Sequence, residues 1–268
     1  MIVELWNTLL DLLPGDWELF KEWPFWRFLL LGLWLSAKIA GFAIVLSLII
    51  GVLMSVARLA PLRPVRWAAA TYVETFRATP LLLLMFFVFF GAGRVDASWL
   101  LNFPGGSSVV DDVGNLQPMP SAIVALTLYN SAVVAEIMRA GILSISRGII
   151  EAGRALGLTY LQTMWHIAIP MTLRRMAPGI VSQLVTLFKD TSLASTISIE
   201  ELLRRGRLIY ETPRYSNAIE VLTVVALMYF IPCYILSLIA QRLEQSPDDR
   251  RGRGLRDRFA FLRGPRDA

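Results

Sequence analysis

Residues 151–170 read EAGRALGLTYLQTMWHIAIP, and the reading of this stretch decides the fold. It lies between hydrophobic segments long enough to cross a bilayer, yet it carries Glu151, Arg154 and His166 and is punctuated by Gly153, Gly157 and Pro170. The pattern predicts helix, turn, helix. Glu151 at the beginning of the first helix complements the positive end of the helix dipole. Ala152, Gly153 and Ala155 are small, so another backbone or a protein groove can come close. Gly157 supplies a stop where a left-handed backbone is expected. Thr159 and Gln162 have capping-box spacing, and Leu161, Met164, Trp165 and Ile169 form an apolar face. Pro170 is expected to end or redirect the second helix. An ordered hairpin outside the lipid presents a surface to a partner; the plainer reading is an amphipathic linker lying on the membrane.

Composition agrees with a membrane setting. The 268 residues are 55% hydrophobic and 18% charged, with a mean hydropathy of +0.55, whereas soluble domains hold about 25% charged residues. The net charge of +5 is almost wholly arginine, since the only lysines are Lys21, Lys38 and Lys189. These arginines flank apolar spans, which points to control of topology rather than to nucleic acid. Cys233 stands alone in an apolar run, permits no internal disulfide and reads as a small buried hydrophobe. Residues 1–27 are acidic and unlike a signal n-region. Trp6, Leu9, Leu10 and Leu13 recur at helical spacing, which suits a segment lying along the membrane surface, and Trp17, Trp23 and Trp26 suit an interfacial belt.

A spanning helix needs about 20 mainly apolar residues, and five segments qualify. They run from about Phe28 to Val56, from Pro80 to Gly93 with an extension back through Trp67 to Phe76, from Pro120 to Ile137, from Met176 to Ile199, and from Ala218 to Ala240. Thr79-Pro80 reads as an N-cap followed by proline at the first helical position. Arginines follow the first, third and fifth spans, which places those loops in the cytoplasm. The acidic N-terminus and the loop 94–119 then lie outside. Arg204, Arg205, Arg207 and Arg214 disagree, because this topology puts them outside too. The chain divides into an outer segment 1–27, a transmembrane domain 28–240 containing the hairpin 148–170, and an arginine-rich tail 241–268 expected to be disordered.

Ionisable residues inside a span are costly and face protein or water. Lys189, Asp190, Thr191 and Ser192 in the fourth span and Asn130 in the third are therefore candidates for a polar pathway; a structural ion pair or interhelical hydrogen bonds are the competing reading. Glu136 and Arg139 are three apart and suit a local ion pair. His166 has no second ligand at metal spacing. No G-x-x-x-x-G-K-[ST] phosphate loop is present, since none of the three lysines follows a glycine.

The hairpin resembles a pattern found in the membrane subunits of bacterial ABC importers, E-A-A-x-x-x-G-x9-I-x-L-P. Glu151, Ala152, Gly157, Ile167 and Pro170 match in register; Gly153 replaces the second alanine and Ile169 replaces the leucine. The stretch 74–81 (ETFRATPL, with Arg77, Thr79 and Pro80), the stretch 135–142 (AEIMRAGI, with Glu136 and Arg139) and the stretch 188–194 (FKDTSLA) are similar to further motifs of the polar amino acid permeases, of the histidine, glutamine and glutamate/aspartate type. The resemblance covers roughly residues 28–240. It implies an all-α integral membrane protein with about five transmembrane helices, the type I ABC importer transmembrane fold and a cytoplasmic coupling helix at Glu151, Ala152, Gly153, Gly157, Ile167 and Pro170. It implies a permease subunit in the bacterial inner membrane, and the loop charges set its N-terminus outside and its C-terminus in the cytoplasm. No cofactor would be bound by this chain. ATP and Mg would sit on a partner ATPase in two copies, beside a second permease chain, identical or paralogous, and an extracytoplasmic amino-acid-binding protein. The stretch from Ile137 to Gly148 points towards glutamate or aspartate among the polar amino acids.

Two other classes compete. An ion-coupled secondary transporter needs no ATPase, but it calls for internal repeats, which are not evident, and it leaves the hairpin unexplained. A membrane-embedded enzyme calls for HExxH, paired carboxylates or a Ser/His arrangement, and the sequence offers one histidine and none of these.

Overall fold

The computed structural model describes residues 17–92, 118–212 and 218–244, and these contain helices and no strands. In chain order they are α1 (Trp23–Arg58), α2 (Arg63–Ala78), α3 (Leu81–Ala92), α4 (Pro118–Leu143), α5 (Arg147–Ala155), α6 (Tyr160–Thr163), α7 (Ile169–Asp190), α8 (Leu202–Tyr210) and α9 (Ala218–Glu244). A π-helical turn, Met164–Ala168, joins α6 to α7, and α7 tightens into a 3-10 stretch, Thr191–Ile197. Outer helicity at Trp6–Leu13, the loop 94–119 as a whole, Arg214 and the tail beyond Glu244 lie outside the described residues.

Lipid supplies no water for stray backbone groups, so crossing segments are helical, and it gives helices little hydrophobic reason to associate. Close approach of small residues does that work instead. The buried face of α1 reads Gly32, Ser36, Ala40, Ala43, Ser47, Gly51 and Ser55. It meets Ala122, Ala125, Ser131 and Val134 of α4, all buried, while Ala132 and Ala135 pack with Val73 of α2. At Gly51 an added Cβ would stand 2.6 Å from Val134 Cγ1 and 3.0 Å from the Ser131 carbonyl oxygen. Ser47 donates to the Thr127 carbonyl at 3.4 Å and Arg58 reaches Glu136, so α1 and α4 run in the same direction. α7 runs opposite to α4: Gln183 lies by Asn130, and Thr172 and Met176 lie by Gly141. α9 closes the bundle, with Tyr229 stacked edge-on to Phe188 at 5.9 Å.

Among the described residues, α1, α4 and α9 are each long and apolar enough to cross a bilayer. The sequence expectation of about five crossings is met approximately. A fourth is the α2–α3 pair if it counts as one span, and the fifth segment is α7, a 22-residue helix with a polar face. The extension of the second span back through Trp67 is present as a separate helix, because α2 and α3 meet at 107°. Thr79 does not cap α3. Its hydroxyl and its N–H both bond to the Thr75 carbonyl, at 2.8 and 3.1 Å, and so close α2. Pro80 forces the residue before it into an extended conformation, and Thr79 sits at φ −83°, ψ 128°. The Pro80 carbonyl accepts the first bond of the new helix, from Leu84 N–H at 3.0 Å. Of the expected tryptophan belt, Trp23 is exposed, while Trp26 donates to the Phe20 carbonyl at 2.8 Å and packs on the buried Phe20 ring with Trp17 on its other side.

The two ends of the bundle are unlike. At one end Leu202 of α8 sits against Gly32, where an added Cβ would be 2.9 Å from its Cα. At the other, the hairpin α5–α6 reaches Val56. The α1 segment between Gly32 and Val56 is about 36 Å long, more than the ~30 Å hydrocarbon core, so α8 and the hairpin are separated by a distance that a bilayer core can occupy. Two of the three arginines of α8 have acidic partners close by. Arg205 donates to the Phe28 carbonyl (3.0 Å) and the Glu200 carbonyl (2.9 Å), pairs with the Glu200 carboxylate at 3.5 Å and stacks on the Phe28 ring at 4.6 Å. Arg207 faces Glu211 at 4.0 Å.

The small-residue seam makes a paired prediction. Gly51→Ala overpacks against the β-branched Val134 side chain and the Ser131 carbonyl and should destabilise by about 1–3 kcal/mol. Gly41→Ala, on the same helix but with nothing within 4 Å of its Cβ, should leave stability unchanged or raise it by up to about 1 kcal/mol. Thermal unfolding of the two variants in detergent checks the contrast.

Candidate functional site

The hairpin is held together by its own sequence chemistry. Gly157 takes φ +83°, the left-handed turn that its place between two helices requires. Thr159 and Gln162 form the complete capping box: Gln162 N–H donates to Thr159 Oγ1 at 3.4 Å and Thr159 N–H donates to Gln162 Oε1 at 2.9 Å. Gly153 is buried, and an added Cβ there would lie 2.7 Å from Ile167 Cδ1. This explains the glycine in place of alanine: the two arms of the hairpin touch at this point, and the isoleucine fills the space a methyl would take. Gly153 thus serves close approach within the hairpin rather than on its outer surface.

Two sequence expectations are corrected. α5 begins at Arg147, so Glu151 is its fifth residue, past the first turn and exposed, and it does not complement the helix N-terminus. Pro170 does not end the helix. The preceding π turn lets Ile169 N–H bond to the Met164 carbonyl, five residues back. A π turn is one of the ways a helix absorbs a proline without breaking, and the chain passes into α7 uninterrupted.

The hairpin then divides into two faces. Met164, Ala168 and Ile169 are buried in an apolar cluster with Val56, Val134, Met138 and Ile142 from the ends of α1 and α4, and Tyr160 packs against it. Tyr160 donates its hydroxyl to the Val56 carbonyl at 2.9 Å. Burial raises its pKa above the ordinary phenol value, with Arg154 pulling the other way, so it remains a donor at neutral pH. Arg175 anchors the hairpin's root by donating to the carbonyl and hydroxyl oxygens of Ser144 at 2.9 and 2.8 Å. The other face is open. Leu156 is 83% exposed, Leu161 58% and Trp165 49%, beside exposed Glu151, Ala152, Gly157 and Pro170. His166 is exposed there too, its Nδ1 2.9 Å from the Gln162 carbonyl.

Beside the hairpin, Arg58 ties three helices. It bonds Glu136 of α4 at 2.6 Å and Glu74 of α2 at 2.9 Å, and Arg139 bonds Glu136 at 2.5 Å. The expected Glu136–Arg139 pair is present; Arg58, read from sequence only as a topology signal, is its centre. Arg77 adds positive charge near Glu136 without a direct bond.

The polar residues within the bundle are not gathered at one point. Asn130 is fully buried, donating to the Leu126 carbonyl and accepting from Gln183, both at 2.8 Å. Thr191 is buried and donates to the Phe188 carbonyl at 2.7 Å. Asp190 and Ser192 are half-buried, and Lys189 is exposed. Lys189 ends a stripe on α7, Gly179, Ser182, Thr186 and Lys189, all exposed and spaced to share one face.

Sequence reasoning missed Glu201, fully buried at the start of α8. It accepts from the N–H groups of Leu203 (2.9 Å) and Arg204 (2.8 Å), from Ser36 of α1 at 3.4 Å and from the Tyr229 hydroxyl of α9. Its signal in sequence is an acidic residue directly before a helix, at the N-cap of α8.

With this geometry in view, comparison with known proteins is informative. Residues 24–248 match the family model of the binding-protein-dependent transport system inner membrane component. The chain is 38% identical over 214 residues to the probable glutamine ABC transporter permease protein GlnP of Bacillus subtilis, covering 80% of this chain and 90% of that one. It is 34% identical over 242 residues to the glutamate transport system permease protein GluD of Corynebacterium glutamicum, covering 89% and 81%. Its fold is similar to that in the crystal structure of an amino acid ABC transporter with histidines, with a TM-score of 0.69 at 23% identity over 87% of this chain and 99% of that chain.

The capping box can be tested locally. Thr159→Ala should cost the hairpin about 1 kcal/mol, seen as faster amide exchange at residues 160–163 with the exchange of α4 unchanged.

Proposed function

We propose a transport role for this chain, which belongs to the family of binding-protein-dependent transport system inner membrane components. It is the membrane permease subunit of an ATP-driven amino acid importer, and ATP hydrolysis belongs to a separate subunit. The observation that carries the coupling assignment is the open face of the hairpin. Leu156, Leu161 and Trp165 are exposed on a segment ordered by the left-handed Gly157 turn and the Thr159–Gln162 capping box. An ordered surface with large uncovered apolar side chains marks a binding site. The occupant is the ATPase, in two copies, with Glu151, Ala152, Gly157 and Pro170 on the docked surface and Gly153 and Ile167 holding its shape. ATP and Mg are bound there and not on this chain.

The remaining partners follow from the same reading. A polar stripe on α7 is costly against lipid, and the Gly179–Lys189 face supports a second permease chain, identical or paralogous, with the pathway between the two. Lys189, Asp190 and Ser192 stand at its end and are the residues best placed to meet a zwitterionic substrate; Asn130 and Thr191 shape the wall from behind through their internal bonds. An extracytoplasmic binding protein delivers the substrate, a polar amino acid such as glutamate or aspartate. The protein resides in the bacterial inner membrane with the hairpin in the cytoplasm, α8 outside, the N-terminus outside and the C-terminus inside.

Purification of the wild-type chain from its native membrane should recover a nucleotide-hydrolysing subunit in stoichiometric amount, and Leu156→Cys and Trp165→Cys should cross-link to it. Recovery without such a subunit sinks the assignment. Gly157→Val forces a β-branched residue into the left-handed region at about 1–2 kcal/mol or more. The variant should insert and hydrolyse ATP with its partner while uptake is lost.

A further inference from the structure

We infer that Tyr160 is the positioning residue that transmits movement of the hairpin to α1, through the hydrogen bond from its hydroxyl to the Val56 carbonyl. The inference rests on the coupling role proposed above and adds the path by which the force leaves the hairpin.

The hairpin is continuous with α7 through the π turn and is rooted to the end of α4 by Ser144 and Arg175. Any displacement at its surface therefore reaches α4 and α7 through the chain itself. α1 has no such continuity. It ends at Arg58, and α2 begins at Arg63 after a turn. Among the described residues, the bond of Tyr160 to Val56 is the one hydrogen bond joining residues 147–168 to α1 or α2; the remaining contact is the apolar cluster around Val56. Apolar contacts slide, whereas a hydrogen bond fixes a donor to one atom, so the bond determines whether α1 follows.

The acceptor is placed for this. Val56 lies in the last turn of α1, where carbonyls lack intrahelical donors, and its oxygen also receives Leu59 N–H at 3.1 Å. One turn of displacement at Val56 acts directly on Arg58, two residues on, whose guanidinium holds Glu136 of α4 and Glu74 of α2. The sequence Tyr160, Val56, Arg58, Glu74 thus connects the hairpin to α1 and then to α2, the two helices the chain does not otherwise link to it. A groove of about 480 Å³ lined by Leu59, Pro61, Arg66, Arg154, Leu158 and Tyr160 borders the bond, leaving the ring space to tilt as the hairpin moves.

The test uses the assembled transporter in proteoliposomes. Tyr160→Phe removes the donor and keeps the ring. Uptake per ATP hydrolysed should fall about fivefold, the factor one net hydrogen bond contributes to an equilibrium, with ATPase recovery and melting temperature as in wild type. Installing 4-aminophenylalanine at 160 returns a donor at the para position and should restore the ratio. Unchanged uptake per ATP in Tyr160→Phe overturns the inference. So does a loss of uptake that tracks a loss of assembly or of melting temperature, because the bond then only holds the fold. A wild-type chain that yields no ATP-dependent uptake refutes the proposed function instead, which separates the two failures.

Discussion

The α1–α4 seam is the constraint on which the other contacts depend. In a solvent as apolar as the helices themselves, association requires backbones to come close enough for dispersion and weak polar contacts to add up. Gly51 allows this by having nothing to place between its own helix and the Ser131 carbonyl. Once α1 and α4 lie side by side in the same direction, their two ends define two separate platforms. One receives α8 at Gly32; the other receives the hairpin at Val56 and the ion network at Arg58. A bulkier seam would disturb both platforms together.

Much of this was legible in the chain because local rules act on neighbouring residues. The left-handed Gly157 and the Thr159–Gln162 box are decided within four residues and appear as the spacing predicts. The hairpin's exposed and buried sides were not legible, because they depend on what α1 and α4 present. Gly153 reads as a docking residue until Ile167 is seen to fill its space. Asn130 reads as polar and buried, but its partner Gln183, 53 residues away, appears only in the fold. Thr79-Pro80 has a cap's composition, but the hydroxyl turned backwards to Thr75, a choice that nearby residues leave open.

The arginines of α8 show a related limit. Topology from sequence weighs formal charge, and four arginines beyond the fourth span argue against the arrangement that the other loops require. Arg205 is occupied by two carbonyls, a carboxylate and an aromatic face, so it contributes little free charge. Glu201 is the converse case: a buried carboxyl group whose partners are two backbone N–H groups and two hydroxyls from two other helices. Such donors stabilise a carboxylate when they are aimed at it, and here they also fasten α8 to α1 and α9.

The π turn at Met164–Ala168 has an angular effect besides its accommodation of proline. A π turn fits one additional residue into a helix, and each residue advances the azimuth by about 100°. Side chains on either side of the insertion are out of phase by that amount. Met164 before the offset and Ile180 after it both join the cluster at Val56, Val134 and Met138, while Thr163 faces Gly153 of the hairpin and Thr172 faces Gly141 of α4. The added residue thus sets which side chains of one continuous rod, on either side of Pro170, come round to the same neighbours.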